Sequence, residues 1–453
     1  MRDRFKSVLS RCNADYAEVR FEESQTTRIS YRGGKLEEVS RSYSSGGNVR
    51  ALVGGGWGFA CFNSPERLSH YVALAVRQAK LAQGEAFELP RREPVVEVVE
   101  GRIKKDASGI PLAEKKKLFD EYNSVMLTSP DIQDSRIAYR DVRRRVIFAS
   151  SEGSYIEQEK PDLTLRLTAV ARKNSEIQQA GLSLGSGGDF SAVEDLHAKV
   201  KETAGRAAAL LHAPQVKGGE YTVILDPILG GVFVHEAFGH LSESDFVYQN
   251  EPLRQVMVRG KRFGERHLNI VDDATIPGLR GSYKYDDEGT PAGKTYLIRE
   301  GVLVGRLHSR ETASRMAEEP SGNARAISYL FPPIVRMTNT FIEPGNVSFE
   351  EMLGEIKEGV YVRDWYGGTT SLEMFTFSAG EAYMIRSGKV AELLRPVVLT
   401  GNVFVTLGNI DAVGSDLALN QGGGCGKGGQ SPLPVSNGSP HIRIRHCLVG
   451  GSS

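Results

Sequence analysis

The sequence has little that would hold the chain to a membrane, a nucleic acid or a disulfide framework. Across its 453 residues no apolar run approaches the roughly 18 to 20 residues that a bilayer-spanning helix needs. The opening segment, MRDRFKSVLSRCNADYAEVR, carries charges where a secretory leader would need an apolar stretch, so the chain is expected to stay in the cytosol, away from membranes. Net charge is also missing: 56 Lys and Arg balance 56 Asp and Glu, which leaves no global attraction for nucleic acid. The four cysteines, Cys12, Cys61, Cys425 and Cys447, are too few and too scattered for a disulfide framework, and reduced thiols are expected. A cysteine with a special role must then be a ligand or a nucleophile. What remains is an ordinary globular composition, 40% hydrophobic and 25% charged, with 50 glycines gathered in loops.

Strand-like alternation dominates and helices intervene irregularly, which predicts an α+β fold of antiparallel sheets rather than a regular βαβ alternation. The runs YAEVRFEES, TTRISYR, KLEEVSRSY and NVRALVGGGWGFACF read as strands. Ser64 and Pro65 then supply an N-cap and first turn for a helix with Leu68, Val72, Ala75 and Val76 on its apolar stripe. Residues 84–112, with prolines and dense charge, read as a connector, followed by a lysine-rich helix over about 112–127. Further strands fill 132–185 and a helix covers 190–212. The basic runs Lys115–Lys117 and Arg143–Arg145 are expected to be solvated faces. The texture changes near 214–217, giving an N-terminal region 1–110, a central strand-rich region 111–215 and a large C-terminal domain 216–453.

The most informative segment is YTVILDPILGGVFVHEAFGHLSESD. A hydrophobic strand ends at Asp226 and Pro227, an N-cap and N1 pair, so a helix should begin there. It presents His235, Glu236 and His240 in a His-Glu-x-x-x-His arrangement, one residue longer than the zinc-protease spacing that puts both histidines on one face. On a regular helix the two histidines would diverge by about 140°. A π turn of ~4.4 residues brings them back to roughly 50°, and Gly239 lowers the cost of that distortion. A π-bulge or helix end is therefore predicted between 235 and 240. A catalytic zinc site wants three protein ligands, and the candidates for the third are Glu243, Asp245, Asp286, Asp287, His267, His446, Cys425 and Cys447. Glu243 is favoured by spacing; Cys425, among glycines 422–424 and 426, is favoured by chemistry. Cys12, Cys61 and Cys447 lie in periodic segments and read as packing residues.

The stretches HEAFGHLSESD, GLRGSYKYDDEGTPAGKTYLIREGVL, RMTNTFIEPG and NQGGGCGKGGQSP resemble those of the TldD/PmbA family, historically called modulators of DNA gyrase. ADYAEVRFEE and VGGGWGFA resemble that family's opening, so the likeness covers roughly residues 10–447. TldD-type members keep the histidines, the glutamate and the cysteine, whereas PmbA-type partners lack them. The resemblance implies zinc held by His235, His240 and Cys425, peptidase action on small or unfolded peptides, and a homodimer or a heterodimer with a PmbA-like chain. In metal-assisted amide hydrolysis Glu236, beside a ligand histidine, fits the proton carrier. Competing classes are a non-catalytic peptide-binding partner subunit, a direct modulator of gyrase or DNA, and an enzyme with Cys425 as nucleophile and His240 as base. Backbone recognition by strand addition would use an exposed edge, with Tyr366–Thr370 as the candidate.

Overall fold

The computed structural model describes residues 1–82, 84–101, 103–371 and 373–451. The first two expected regions share one eight-stranded sheet. Its centre is two very long strands, Tyr16–Arg32 and Ile132–Ser150, paired antiparallel from Glu18–Ser150 to Arg32–Arg136. The four opening runs read from the sequence are three strands, because YAEVRFEES and TTRISYR join into Tyr16–Arg32, and Lys35–Val53 absorbs the next run before Gly56–Phe62. Ser24 and Gln25, at the join, stay in the ladder opposite Ser44 and Tyr43. The supposed connector contributes a strand of its own, Val96–Val99, parallel to Tyr155–Glu159. Three of its four residues are valine, a β-branched signal hidden by the surrounding prolines and charge.

All the long helices of this part pack on one face of the sheet. Leu68–Ala82, entered through a 3₁₀ turn at Pro65–Arg67 with Ser64 as its cap, covers Val19, Val49, Ala51 and Ile147. Leu112–Met126 and His197–Leu210 cover Ile29, Tyr139, Leu165 and Leu167. Side chains alternate across a strand, so the neighbouring positions, among them Arg20, Arg140 and Arg144, point the other way. That face meets the C-terminal part through buried ion pairs. Asp287 takes Lys160 at 2.8 Å and Arg20 at 3.5 Å, Arg50 reaches Glu288 at 3.1 Å, and Arg280 reaches Asp162 at 2.6 Å.

The C-terminal part is built on two sheets. In the first, Gly219–Leu225 lies between Glu358–Ser371, parallel to it, and Ile442–Gly451, antiparallel; Val397–Asn402 and Met374–Arg386 continue the order. Met374–Arg386 pairs again with Glu358–Ser371, so the sheet closes on itself. The second runs Val302–Leu303, Lys294–Arg299, Ile270–Asp273, Asn339–Ile342, Ser436–Ser439 and Ala418–Asn420. The fold is thus α+β, with mixed sheets where mostly antiparallel ones were expected. The helix Pro227–Val234 is sandwiched in this core, Phe233 meeting Phe375 and Phe377 edge-on at 5.6 and 6.0 Å. Among the described residues no helix is long and apolar enough to cross a membrane.

One expectation of solvated charge fails. Lys115 is fully buried, its Nζ 2.5 Å from Asp141 Oδ2, while Arg143 and Arg145 sit at the surface and pair with Glu159 and Glu157. The helix stripe at 112–126 simply includes this lysine. Burial lowers its pKa against the pull of Asp141. Truncating one partner of a buried pair leaves the other charge unpaired. Lys115→Met is therefore expected to cost about 3–5 kcal/mol in urea unfolding, and Lys115→Met/Asp141→Leu to recover most of it. Equal losses in the single and double variants would refute that account.

Candidate metal centre

The site begins at the end of strand Gly219–Leu225. Asp226 caps the following helix, its Oδ1 accepting from Leu229 N at 2.8 Å, and Pro227 occupies the first turn. The helix runs to Val234 and then widens into a π turn, His235–Gly239, in which the N–H of His240 donates to the carbonyl of His235 five residues back. A 3₁₀ turn, His240–Ser242, ends it. The predicted distortion is therefore present, and it sets the imidazoles of His235 and His240 edge-on with ring centroids 5.3 Å apart. Gly239 is also needed for space, since a Cβ there would lie 2.1 Å from Met337 Sδ.

Cys425 arrives on a separate hairpin, Cys425–Lys427 with Gln430–Leu433. Its two-residue turn, Gly428 and Gly429, has φ of 57° and 75°, the left-handed conformation that such tight hairpins require. Two latches hold it. The buried Arg336 donates to the carbonyls of Cys425 at 2.8 Å and Gln430 at 3.2 Å. Lys427 Nζ reaches Asp245 at 2.6 Å, Glu243 at 3.0 Å and the carbonyl of Val335 at 2.9 Å.

These elements bring one atom each from His235, His240 and Cys425 within 4.8 Å of one another, the only such group found among the described residues. Cys425 Sγ lies 3.5 Å from His240 Nε2. Nitrogen and sulfur sharing a tetrahedral zinc at ~2.05 and ~2.3 Å would be about 3.6 Å apart, so the donors already have the right spacing. His235 Nδ1 is buried with no hydrogen-bond partner. Two imidazoles and a thiolate suit zinc better than magnesium or calcium. The residues present fit the group.

The electrostatics agree. Burial opposes charge on Cys425, yet His235 and His240 outweigh it and hold the thiol well below its ordinary value. Burial likewise opposes protonated His240, but Glu243 and Cys425 push its pKa well up. Glu243, against burial, is drawn down to about 2 by Lys427 and His240.

Glu243 is not among the clustered donors. Its Oε2 lies 2.9 Å from His240 Nδ1, which fixes the ring so that Nε2 faces Cys425. Glu236 stands beside the cluster, half-buried, its Oε2 3.9 Å from His240 Nε2. The remaining candidates are elsewhere engaged. Asp245 pairs with Lys427, and Asp286 accepts from the backbone of Glu288, Thr290 and Ala324. Asp287 clamps the N-terminal sheet through Lys160, His267 Nε2 lies 2.9 Å from the carbonyl of Ile410, and His446 pairs with Glu220 at the surface. Cys447 is buried in the core, which pushes its thiol up to about 12; Cys12 and Cys61 are half-buried and also raised by burial. Lys427 and Arg336 were missed. Lys427 carried a signal, since it lies two residues from Cys425 and so on the same side of a strand.

Comparison with known proteins places the whole chain. Residues 218–451 match the model of the PmbA/TldA metallopeptidase C-terminal domain, 105–211 that of the central domain and 17–79 that of domain 1. A metalloprotease of Synechocystis sp. is 46% identical over 97% of this chain and 96% of its own length. A zinc metalloprotease TldD homolog of Saccharolobus solfataricus is 30% identical over 97% of each. The solved structure of TldE from Thermococcus kodakarensis superposes with a TM-score of 0.75 at 19% identity, covering 97% of both chains, a likeness of fold.

Two substitutions test the support around the cluster. Glu243→Gln should weaken zinc affinity about 10- to 100-fold in a chelator competition, because it loosens His240 without removing a donor. Gly239→Ala forces Met337 aside and should cost about 1–3 kcal/mol of stability, most of it restored by Gly239→Ala/Met337→Ala. An unchanged affinity in the first, or no rescue in the second, would count against these roles.

Proposed function

The chain belongs to the PmbA/TldD metallopeptidase family, and from that membership and its donor cluster we propose that it is a zinc-dependent peptidase. His235, His240 and Cys425 would hold the metal, and Glu236 would carry the proton. The observation that supports this most directly is the convergence of two imidazoles and a thiol within 4.8 Å, with the half-buried Glu236 carboxylate beside them. Zinc, when bound, supplies Lewis acidity that acidifies water and polarises a peptide carbonyl.

The protein's own groups do the rest. Glu236 is exposed enough to meet water and substrate, takes a proton from the attacking water and returns it to the leaving amine. Glu243 keeps the proton on His240 Nδ1, leaving Nε2 as the lone-pair donor. Cys425 serves as a thiolate ligand, stabilised by the two histidines that face it. This role competes with that of nucleophile, and burial of Cys425 beside two imidazoles favours the ligand.

The substrate on this reading is an extended peptide, small or unfolded. Gly219–Leu225 pairs with Glu358–Ser371 only as far as Val362, so beyond it that outer edge has no strand partner among the described residues. Trp365, on the same stretch, lies against Gly423, where a Cβ would come within 3.5 Å, and so stands next to the Cys425 hairpin. Trp365 N–H is taken by Asp364 Oδ1, but beyond it the outward N–H and C=O groups as far as Thr370 have no ladder partner on that edge among the described residues and can accept a substrate strand without reading its side chains. A homodimer, or a heterodimer with a PmbA-like chain, and a cytosolic location that keeps Cys425 reduced, complete the proposal.

Metal analysis by mass spectrometry tests it first. The purified protein and Glu236→Gln should each hold near one zinc per chain, whereas His235→Ala and Cys425→Ala should hold none. Glu236→Gln should lower kcat on peptides by about 10²–10⁴-fold with its zinc retained. Full activity in that variant would remove Glu236 from the mechanism, and an absence of zinc in all four proteins would remove the peptidase reading.

A further inference from the structure

The face of the N-terminal sheet turned away from its helices carries a line of arginines that the proposed chemistry does not use. On strand Ile132–Ser150, Arg136, Arg140 and Arg144 recur every fourth residue and so share that face. The ladder sets Arg28 directly opposite Arg140, and Arg166 opposite Ala138, on the same side. Around them the floor is Ser24, Thr26, Ser44, Thr168 and Val142, with one carboxylate, Glu22, which is already paired with Arg20 at 3.1 Å.

Few of these charges are answered. Among the described residues the guanidiniums of Arg28, Arg144 and Arg166 make no ion pair or hydrogen bond, and Arg136 reaches Asp134 only at 4.0 Å. Arg140 lies 3.5 Å from Asp162, but that carboxylate is already bound by Arg280 at 2.6 Å. Like charges directly opposite each other in a ladder are destabilising. Burial lowers the pKa of Arg140, and Arg144, Arg28 and Arg280 lower it further. A chain with no net charge has thus gathered five arginines on one face at a cost to its own stability.

The track passes beside the metal hairpin. Arg140 and Arg144 line a cleft of about 320 Å³ whose far wall is Tyr329, Pro432 and Pro434; Pro432 would be 2.6 Å from a Cβ on Gly424. Arg136 and Arg166 line a second cleft of about 350 Å³ with Trp365 and Tyr366. Arg280, which binds Asp162 beside Arg140, also donates to the carbonyls of Gln421 and Gly423, four and two residues before Cys425. Both clefts therefore abut the loop that delivers the proposed thiolate ligand.

We infer that this arginine track is a binding groove for acidic peptides, which it guides to the cluster of His235, His240 and Cys425. The inference rests on the peptidase reading for what happens next, though not for binding. At ~3.4 Å per residue the arginines at 136, 140 and 144 are spaced about 13 Å apart and span about 27 Å, a match to an extended segment of roughly eight residues with Asp or Glu every fourth position. A lysine-rich peptide would meet unscreened like charge, and an uncharged one would leave the arginines unpaired.

Fluorescence anisotropy separates these cases. A labelled 12-residue peptide rich in Glu, its Gln counterpart, a Lys counterpart and a 12-nucleotide single-stranded RNA would each be titrated against the full chain. The acidic peptide should bind at least tenfold more tightly than the Gln peptide, with affinity falling several-fold as salt is raised. Arg28→Ser/Arg144→Ser/Arg166→Ser, which removes three unpaired guanidiniums, should erase most of that ratio; Arg143→Ser/Arg145→Ser, on the opposite face, should leave it intact. Equal binding of the Glu and Gln peptides, or tighter binding of the RNA than of the acidic peptide, would overturn the inference. Selective binding of the acidic peptide without cleavage of any peptide would sink the peptidase reading and leave the groove standing.

Discussion

The hydrogen bond from His240 N–H to the carbonyl of His235 spans one residue more than an α-helical bond, and the geometry of the cluster depends on it. Without it the second imidazole would point away from the first, and no position of the Cys425 hairpin could bring three donors together. The distortion is held from both sides. Asp226 and Pro227 fix where the helix begins, and Glu243 ties its far end to Lys427 and Met337. A π turn costs backbone regularity, and here it is retained by packing around a fully buried Phe238 and by the vacancy that Gly239 leaves for Met337.

A second constraint governs how the two parts of the molecule meet. The turn Asp286–Thr290 carries three acidic residues, and each is committed to holding structure rather than to chemistry. Asp287 and Glu288 take Lys160, Arg20 and Arg50 from the N-terminal sheet, while Asp286 gathers backbone N–H groups of its own turn. Burial and the neighbouring Glu288 push Asp286 up to about 8, against the backbone N–H groups of Thr290, Glu288 and Ala324 that favour its charged form. Buried ion pairs contribute little net stability compared with well-packed apolar contacts, but they tolerate only one arrangement. At this junction they tie the sheet to the C-terminal part beside the clefts that flank the Cys425 hairpin.

Much of this was legible because it rests on local rules. Asp226-Pro227 and Ser64-Pro65 announce helix starts by capping chemistry alone, and the five-residue histidine spacing demanded a π turn by simple rotation. The family resemblance brought Cys425 forward where residue chemistry left it level with Glu243. What stayed hidden depends on long-range packing. No local pattern says that Lys115 turns inward to Asp141, that Val96–Val99 joins a sheet, or that Ser24 and Gln25 continue a strand instead of ending it. Arg28 and Arg140 are far apart in sequence, and only the ladder reveals that they stand face to face.

The polarity of that arginine face also bears on what can reach the site. A folded protein docks by burying a broad apolar surface, and here the apolar side chains stand in the walls of two narrow clefts over a floor rich in serine, threonine and arginine. An extended chain needs much less, since its backbone can bond to an open sheet edge and its acidic side chains can neutralise guanidiniums one by one. The two contributions are complementary. Strand addition near Trp365 is indifferent to side chains and cannot distinguish one unfolded segment from another, whereas the arginines at 13 Å intervals discriminate by charge. Together they would let a chain with no net charge favour acidic unfolded segments.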